Sequence, residues 1–147
     1  MATASIPARA PFDEKGWLPP GDHRFSWRAF RQRFAHTPWR AQLLDAAQAL
    51  LRAAHFTGAV YVGGSFVTAK PEPGDIDIVL DCKRMTPRFV EMFFAAQDTL
   101  GKVRGVDAHL AHAALPWDMR ELFRIKAMDD YAVVRGIGLV CVEAGRR

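Results

Sequence analysis

Two short segments fix the frame of this chain. Val60-Tyr61-Val62-Gly63-Gly64-Ser65 is followed, ten residues after the serine, by Asp75-Ile76-Asp77-Ile78-Val79-Leu80. The apolar run Ala59 to Val62 reads as a buried strand, and the glycine pair ends it. The second segment reads as another strand. Residues i and i+2 of a strand share a face, so Asp75 and Asp77 project together while Ile76 and Ile78 point into a core. The connection Phe66 to Gly74 is stiffened by Pro71 and Pro73.

The remaining chain supplies cover for these strands. Ser26 caps a helix in which Trp27, Phe30 and Phe34 share one face and Arg28 and Arg31, with Arg24, lie on another. Thr37-Pro38 starts a second helix expected to run to Gly58, with Leu43, Leu44, Ala47, Leu50 and Leu51 as its buried stripe. Thr86-Pro87 opens a third, closed by Gly101. Further strands are expected over 103–110 and at the end of 132–143, and a short helix over 115–125. Alternating strands and helices predict an α/β (α+β) class, with a small mixed β-sheet flanked by helices. Pro7, Pro11, Pro19, Pro20 and Gly21 mark residues 1–25 as an N-terminal arm, which leaves 26–147 as the domain.

Composition narrows the function classes. A chain of 147 residues, 50% hydrophobic, buries roughly 68–70% of its unfolded surface and needs no covalent staples. No apolar run approaches the ~18–20 residues of a membrane span, and the first residues lack the apolar stretch of a secretory signal. Cys82 and Cys141 show no metal or redox spacing, so a reduced, cytoplasmic setting is expected. The net charge of +4 permits a polyanionic partner without requiring one. Arg24, Arg28, Arg31, Arg33, Arg40 and Arg52 face one acid, Asp45, over residues 24–52. They read as a solvated helical face or as a contact for a nucleic-acid backbone.

The chemistry lies in the two frame segments. Two carboxylates about 6–7 Å apart on one strand face repel by roughly 3 kcal/mol at an effective dielectric near 20. A divalent cation offsets that repulsion, and Mg²⁺, or Mn²⁺ in its place, favours a few carboxylates plus substrate phosphates. Gly63 and Gly64 let the backbone turn and approach a ligand, and Ser65 adds a hydroxyl and an amide that suit phosphate oxygens. Metal donors beside phosphate donors are what phosphoryl or nucleotidyl transfer needs. Asp107, set among Val106, Ala108 and Leu110, is the candidate third carboxylate, and His109 shares its face. Lys70 is a candidate reach to a triphosphate. Asp81 shares the parity of Asp77 but lies about 13 Å further on, too far for the same ion.

The pattern Gly63-Gly64-Ser65, nine residues, Asp75-Ile76-Asp77-Ile78 resembles the signature of the DNA polymerase β-type nucleotidyltransferase superfamily. The chain is also similar to a small nucleotidyltransferase-like family of bacteria and phages. That likeness rests on Leu18-Pro19-Pro20-Gly21 with His23, the Phe30 to Phe34 helix, Arg40, and the Gly63 to Thr68 and Pro73 to Asp77 stretches. The resemblance implies a minimal nucleotidyltransferase fold. It implies Asp75 and Asp77 as catalytic Mg²⁺ ligands, Asp107 as the third catalytic and metal-binding acid, and Gly64 and Ser65 as phosphate-contacting; Gly63 and Lys70 join them as nucleotide-binding candidates from the reading of the residues themselves. It implies transfer of an NMP from an NTP to a hydroxyl on RNA, protein or a small molecule. The alternative is a catalytically weak module of the same fold, an antitoxin or phage-defence interaction protein, working with a partner protein or as a homodimer. Phe66 and Val67 stand where antitoxin-type members carry arginine and glycine, and these 147 residues are too few to include the separate helical acceptor domain of larger members, so a partner, an oligomer or the basic N-terminal helices are expected to supply that surface.

Overall fold

Three helices start on a side-chain hydroxyl. Ser26 Oγ accepts from the Ala29 amide, Thr37 Oγ1 from Arg40 and Thr86 Oγ1 from Phe89. Pro38 and Pro87 occupy first-turn positions where an amide has no helical partner. In the computed structural model, which describes residues 12–14, 16–127, 134–136 and 138–143, the chain begins with strand β1 (Gly21–Phe25) and helices α1 (Trp27–Phe34) and α2 (Pro38–Ala53). Strand β2 (Ala59–Gly63), a 3-10 turn (Gly64–Val67) and strand β3 (Ile76–Asp81) follow. Helix α3 (Pro87–Leu100), strand β4 (Val106–Ala111), helix α4 (Met119–Phe123) and strands β5 (Ile125–Ala127), β6 (Val134–Gly136) and β7 (Gly138–Glu143) complete it.

The main sheet has the order β1-β7-β2-β3-β4, and β5 pairs with β6 apart from it. β1 with β7 and β3 with β4 are parallel, whereas β7 with β2 and β2 with β3 are antiparallel. The class is therefore mixed α+β, as expected. Alternation sorts the side chains onto two faces. Val60, Val62, Ile76, Ile78, Leu80, Val106, Val140 and Val142 are fully buried against Phe30, Phe34, Leu43, Leu44 and Leu50 of α1 and α2 and Phe93 of α3. The opposite face is thinner. Tyr61, Val79, Ala111, Leu139 and Cys141 pack there beneath Met119 and Phe123 of α4. Among the described residues no helix is long and apolar enough to cross a membrane.

The strands and helices depart from expectation at particular places. α2 ends at Ala53, before Gly58, because His55 turns into the left-handed region at φ 54. The segment expected as an arm contains β1, in register with β7 from Gly21↔Gly138 to Phe25↔Val142, and Leu18 is buried. β1 is the edge strand, paired to β7 alone and largely exposed, so the polar sequence Gly-Asp-His-Arg-Phe serves. Pro19 and Pro20 stand just before it, where no ladder amide is required. Residues 1–11 and 15 of the expected arm and 128–131 and 144–147 of the domain lie outside the described residues, as do 132, 133 and 137 of the expected final strand.

Candidate functional site

Register assembles the site. Gly63 on β2 pairs with Asp77 on β3, and Asp77 pairs with Asp107 on β4. The three form one row across adjacent strands, spaced about 4.8 Å apart. The row lies on the thinner face, since Ile76, Ile78, Val106 and Ala108 fill the other. Asp75 precedes β3 by one residue and shares the parity of Asp77. The sequence-predicted carboxylates Asp75, Asp77 and Asp107 are thus brought together, each partly exposed.

Their crowding shows in Asp77. Its carboxyl is raised to about 7, first by burial and then by the charges of Asp75 and Asp107, which are also its hydrogen-bonding neighbours. Removal from water and two like charges both disfavour the ionised form. A proton or a cation relieves that strain.

Gly64 is fixed by two independent demands. Its φ of 68 lies in the left-handed region, and a Cβ there would collide with Asp77 Oδ2. The turn therefore backs directly onto the central carboxylate. Thr68 closes it, with its amide 3.2 Å and its Oγ1 2.7 Å from the Ser65 carbonyl. The first amides of such a turn have no partner within it. Ser65 stands beside them, partly exposed.

Helix α4 forms the wall. A Cβ on Gly63 would stand 2.8 Å from Phe123 Cβ and 2.9 Å from Leu139 Cδ2, so glycine lets α4 close onto β2. The Phe123 ring also lies 6.0 Å from the His109 ring. His109 Nε2 is 3.4 Å from Asp107 Oδ2 yet makes no hydrogen bond, although the atom itself is shielded from solvent.

The loop from Phe66 to Gly74 is held from beneath by Arg40, whose side chain is fully buried. Nη1 donates to the carbonyls of Phe34 (2.9 Å) and Phe66 (2.7 Å). Nη2 donates to those of Thr68 (3.0 Å) and Lys70, and Nε to that of Pro71 (3.3 Å). The guanidinium also lies 5.1 Å from the Phe66 ring centroid. Burial pushes the Arg40 pKa down, but a guanidinium stays charged in proteins. Trp39 Nε1 donates to the Pro73 carbonyl at 2.6 Å. Lys70 is exposed on this loop, and its main chain rather than its side chain is tied down.

These contacts redistribute the arginines of residues 24–52. Arg40 belongs to the interior and not to a solvent face. Arg24 pairs with Glu143, Arg31 bonds Asp45 and Gln48, and Arg33 lies over the rings of Phe12 and Phe34. Arg28 and Arg52 remain exposed. The sequence did carry a sign of the interior role. Arg40 precedes Leu43, Leu44 and Ala47 by three, four and seven residues, in phase with the buried stripe of α2. No comparable sign marked Phe123, which reaches Gly63 across 60 residues of sequence.

Asp81 stands apart, as its spacing predicted. Arg120 Nη1 is 3.6 Å and Lys83 Nζ 3.4 Å from its carboxylate. Arg120 is itself forked onto Asp118 and stacked on Tyr61, 4.8 Å from the ring centroid. Together with Trp117 and His112 they line a separate hollow of about 570 Å³ at the far ends of β3 and β4.

The donor chemistry of the row fits a hard cation, because its ligands are carboxylate oxygens. The crowded Asp77 carboxyl is the group that such an ion would neutralise. Among the described residues, no group of three or more His, Cys, Asp or Glu side chains is arranged, as it stands, to hold a metal ion. The row therefore fits Mg²⁺ in donor chemistry alone.

A family model, described as a family of unknown function (DUF6932), matches residues 10–136. No curated protein matches the chain. No solved structure matches it either.

Proposed function

We propose that this chain, which belongs to the DUF6932 family, is a Mg²⁺-dependent nucleotidyltransferase domain. It would move an NMP from an NTP to a hydroxyl acceptor on RNA, protein or a small molecule. What supports this most is the cross-strand row Gly63, Asp77 and Asp107, with the Gly64 turn backed onto Asp77. Carboxylate oxygens suit a cation, and the first amides of a tight turn suit phosphate oxygens, which is the pairing that nucleotidyl transfer uses.

The residues divide the work. The Gly64 and Ser65 amides and the Ser65 hydroxyl bind the β- and γ-phosphates, Gly63 admits the Phe123 wall beside the turn, and Lys70 reaches from its loop toward the same charge. Asp75, Asp77 and Asp107 would hold Mg²⁺, which when bound neutralises charge at the α-phosphate and on the departing pyrophosphate. The acceptor oxygen bonds to the α-phosphorus as the α–β bridging bond breaks, and the electron pair leaves with pyrophosphate. The hydroxyl proton passes to Asp107, whose carboxylate lies 3.4 Å from His109 Nε2. The test is label transfer from α-³²P-NTPs with Mg²⁺ or Mn²⁺, comparing wild type with Asp75→Ala and Asp77→Ala. Labelled product from wild type alone supports the reading. Equal label from all three, or none, counts against it.

A second reading, a partner-binding module of weak or no turnover such as an antitoxin, is favoured by the apolar surface around α4. Trp117, Leu122 and Ile125 are 72%, 60% and 48% exposed. Co-purification with a stable partner, without label transfer, favours this reading.

A further inference from the structure

Arg40 is a fully buried cation with no carboxylate counter-charge on it among the described residues. A buried charge is tolerated only when its hydrogen-bonding capacity is met. A guanidinium has five N–H groups in a fixed fork. Here each is used once, on the carbonyls of Phe34, Phe66, Thr68, Lys70 and Pro71. The Phe34 carbonyl ends α1, where the helix dipole is negative and favours a cation. The other four come from six consecutive residues of one loop. Those carbonyls turn inward around the guanidinium, so the loop is shaped by a side chain of α2 rather than by a core of its own.

What matters is where the ends of that loop lead. One end leaves the Gly64–Val67 turn, whose carbonyl at Ser65 is already bonded to Thr68. The other runs through Pro73, held by Trp39, into Asp75. The two halves of the candidate site are thus joined through residues fixed by Arg40. The geometry points to Arg40 as the positioning residue of the site: it sets the phosphate-binding turn and Asp75 against the row of Asp77 and Asp107 without touching substrate. The assignment rests on the nucleotidyltransferase reading for its consequence, though the clamp itself is independent of it.

Lysine keeps the charge but offers at most three donors, so Arg40→Lys leaves at least two of the five carbonyls unpaired. Amide hydrogen exchange of residues 66–75 should quicken at least tenfold in this variant, while β2, β3 and β7 stay within twofold of wild type. KM for the Mg²⁺–NTP should rise at least tenfold, with a smaller loss in kcat. If Arg40→Lys does not fold, Trp39→Phe releases only the Pro73 end of the loop. Its signature is faster exchange at residues 74 and 75 with a KM rise of severalfold. A lowered melting temperature with unchanged loop exchange and unchanged KM overturns the proposal, because Arg40 would then be a structural residue only. If wild type neither binds nor turns over nucleotide, the enzymatic reading fails, and the exchange data alone decide whether Arg40 orders the loop.

Discussion

Replacing Asp77 with asparagine should stabilise the metal-free protein, and only above acidic pH. The Asp77 carboxyl is raised from 3.8 to about 7 by burial and by Asp75 and Asp107. The folded state therefore holds its proton more tightly than the unfolded chain. Folding stability from this group is full below the unfolded pKa near 4 and is lost as pH rises toward 7. Roughly three pKa units at 1.36 kcal/mol each give about 4 kcal/mol as a ceiling. Partial exposure and side-chain relaxation bring the expectation nearer 2 kcal/mol. Asparagine keeps the shape and cannot ionise. For a chain of this size, Asp77→Asn should raise Tm by about 4–8 °C at pH 8, with little change at pH 4. Thermal unfolding of both proteins between pH 4 and 8, in EDTA, measures it. A Tm gain independent of pH, or a loss at pH 8, would refute the picture of three crowded carboxyls.

Gly64→Ala should cost about 1–3 kcal/mol, since alanine meets both a left-handed backbone and Asp77 Oδ2; chemical denaturation reads the loss, and a neutral result would mean that the turn relaxes freely. Phe123→Ala removes the wall between Gly63 and His109 and should cost about 2–3 kcal/mol, below a full core deletion because Phe123 is only partly buried. Cys82 and Cys141 are buried, and burial pushes both thiols up, Cys82 to about 11. Neither should react with a disulfide reagent at pH 8 faster than the protein unfolds, and stoichiometric labelling of the folded protein within seconds would contradict that.

The legible parts of this chain are those governed by neighbours in sequence. Ser26, Thr37 and Thr86 announce their helices because a cap acts over three residues. The alternation of Asp75-Ile76-Asp77-Ile78 sets both its face and its core contacts. Asp107 has only its apolar neighbours as a local pattern, and parallel pairing with β3 puts it beside Asp77. What escaped depends on distant partners. The strand role of Gly21–Phe25 comes from β7, more than a hundred residues away. Arg40 looks like one more surface arginine until the helical phase of Leu43 and Leu44 is weighed against it. The apolar lid of Met119 and Phe123 over the second face has no local pattern, because α4 is one short turn whose partners lie on β2, β4 and β7.

The most direct measurement is a crystal structure with Mn²⁺ and a nucleotide that resists cleavage at its α–β bond, with data collected at the manganese edge. The account predicts anomalous density within bonding distance of Asp75 and Asp77, with the nucleotide's terminal phosphates on the Gly64-Ser65 turn. Manganese bound elsewhere, or nucleotide absent from that turn while the row keeps its present arrangement, would contradict it.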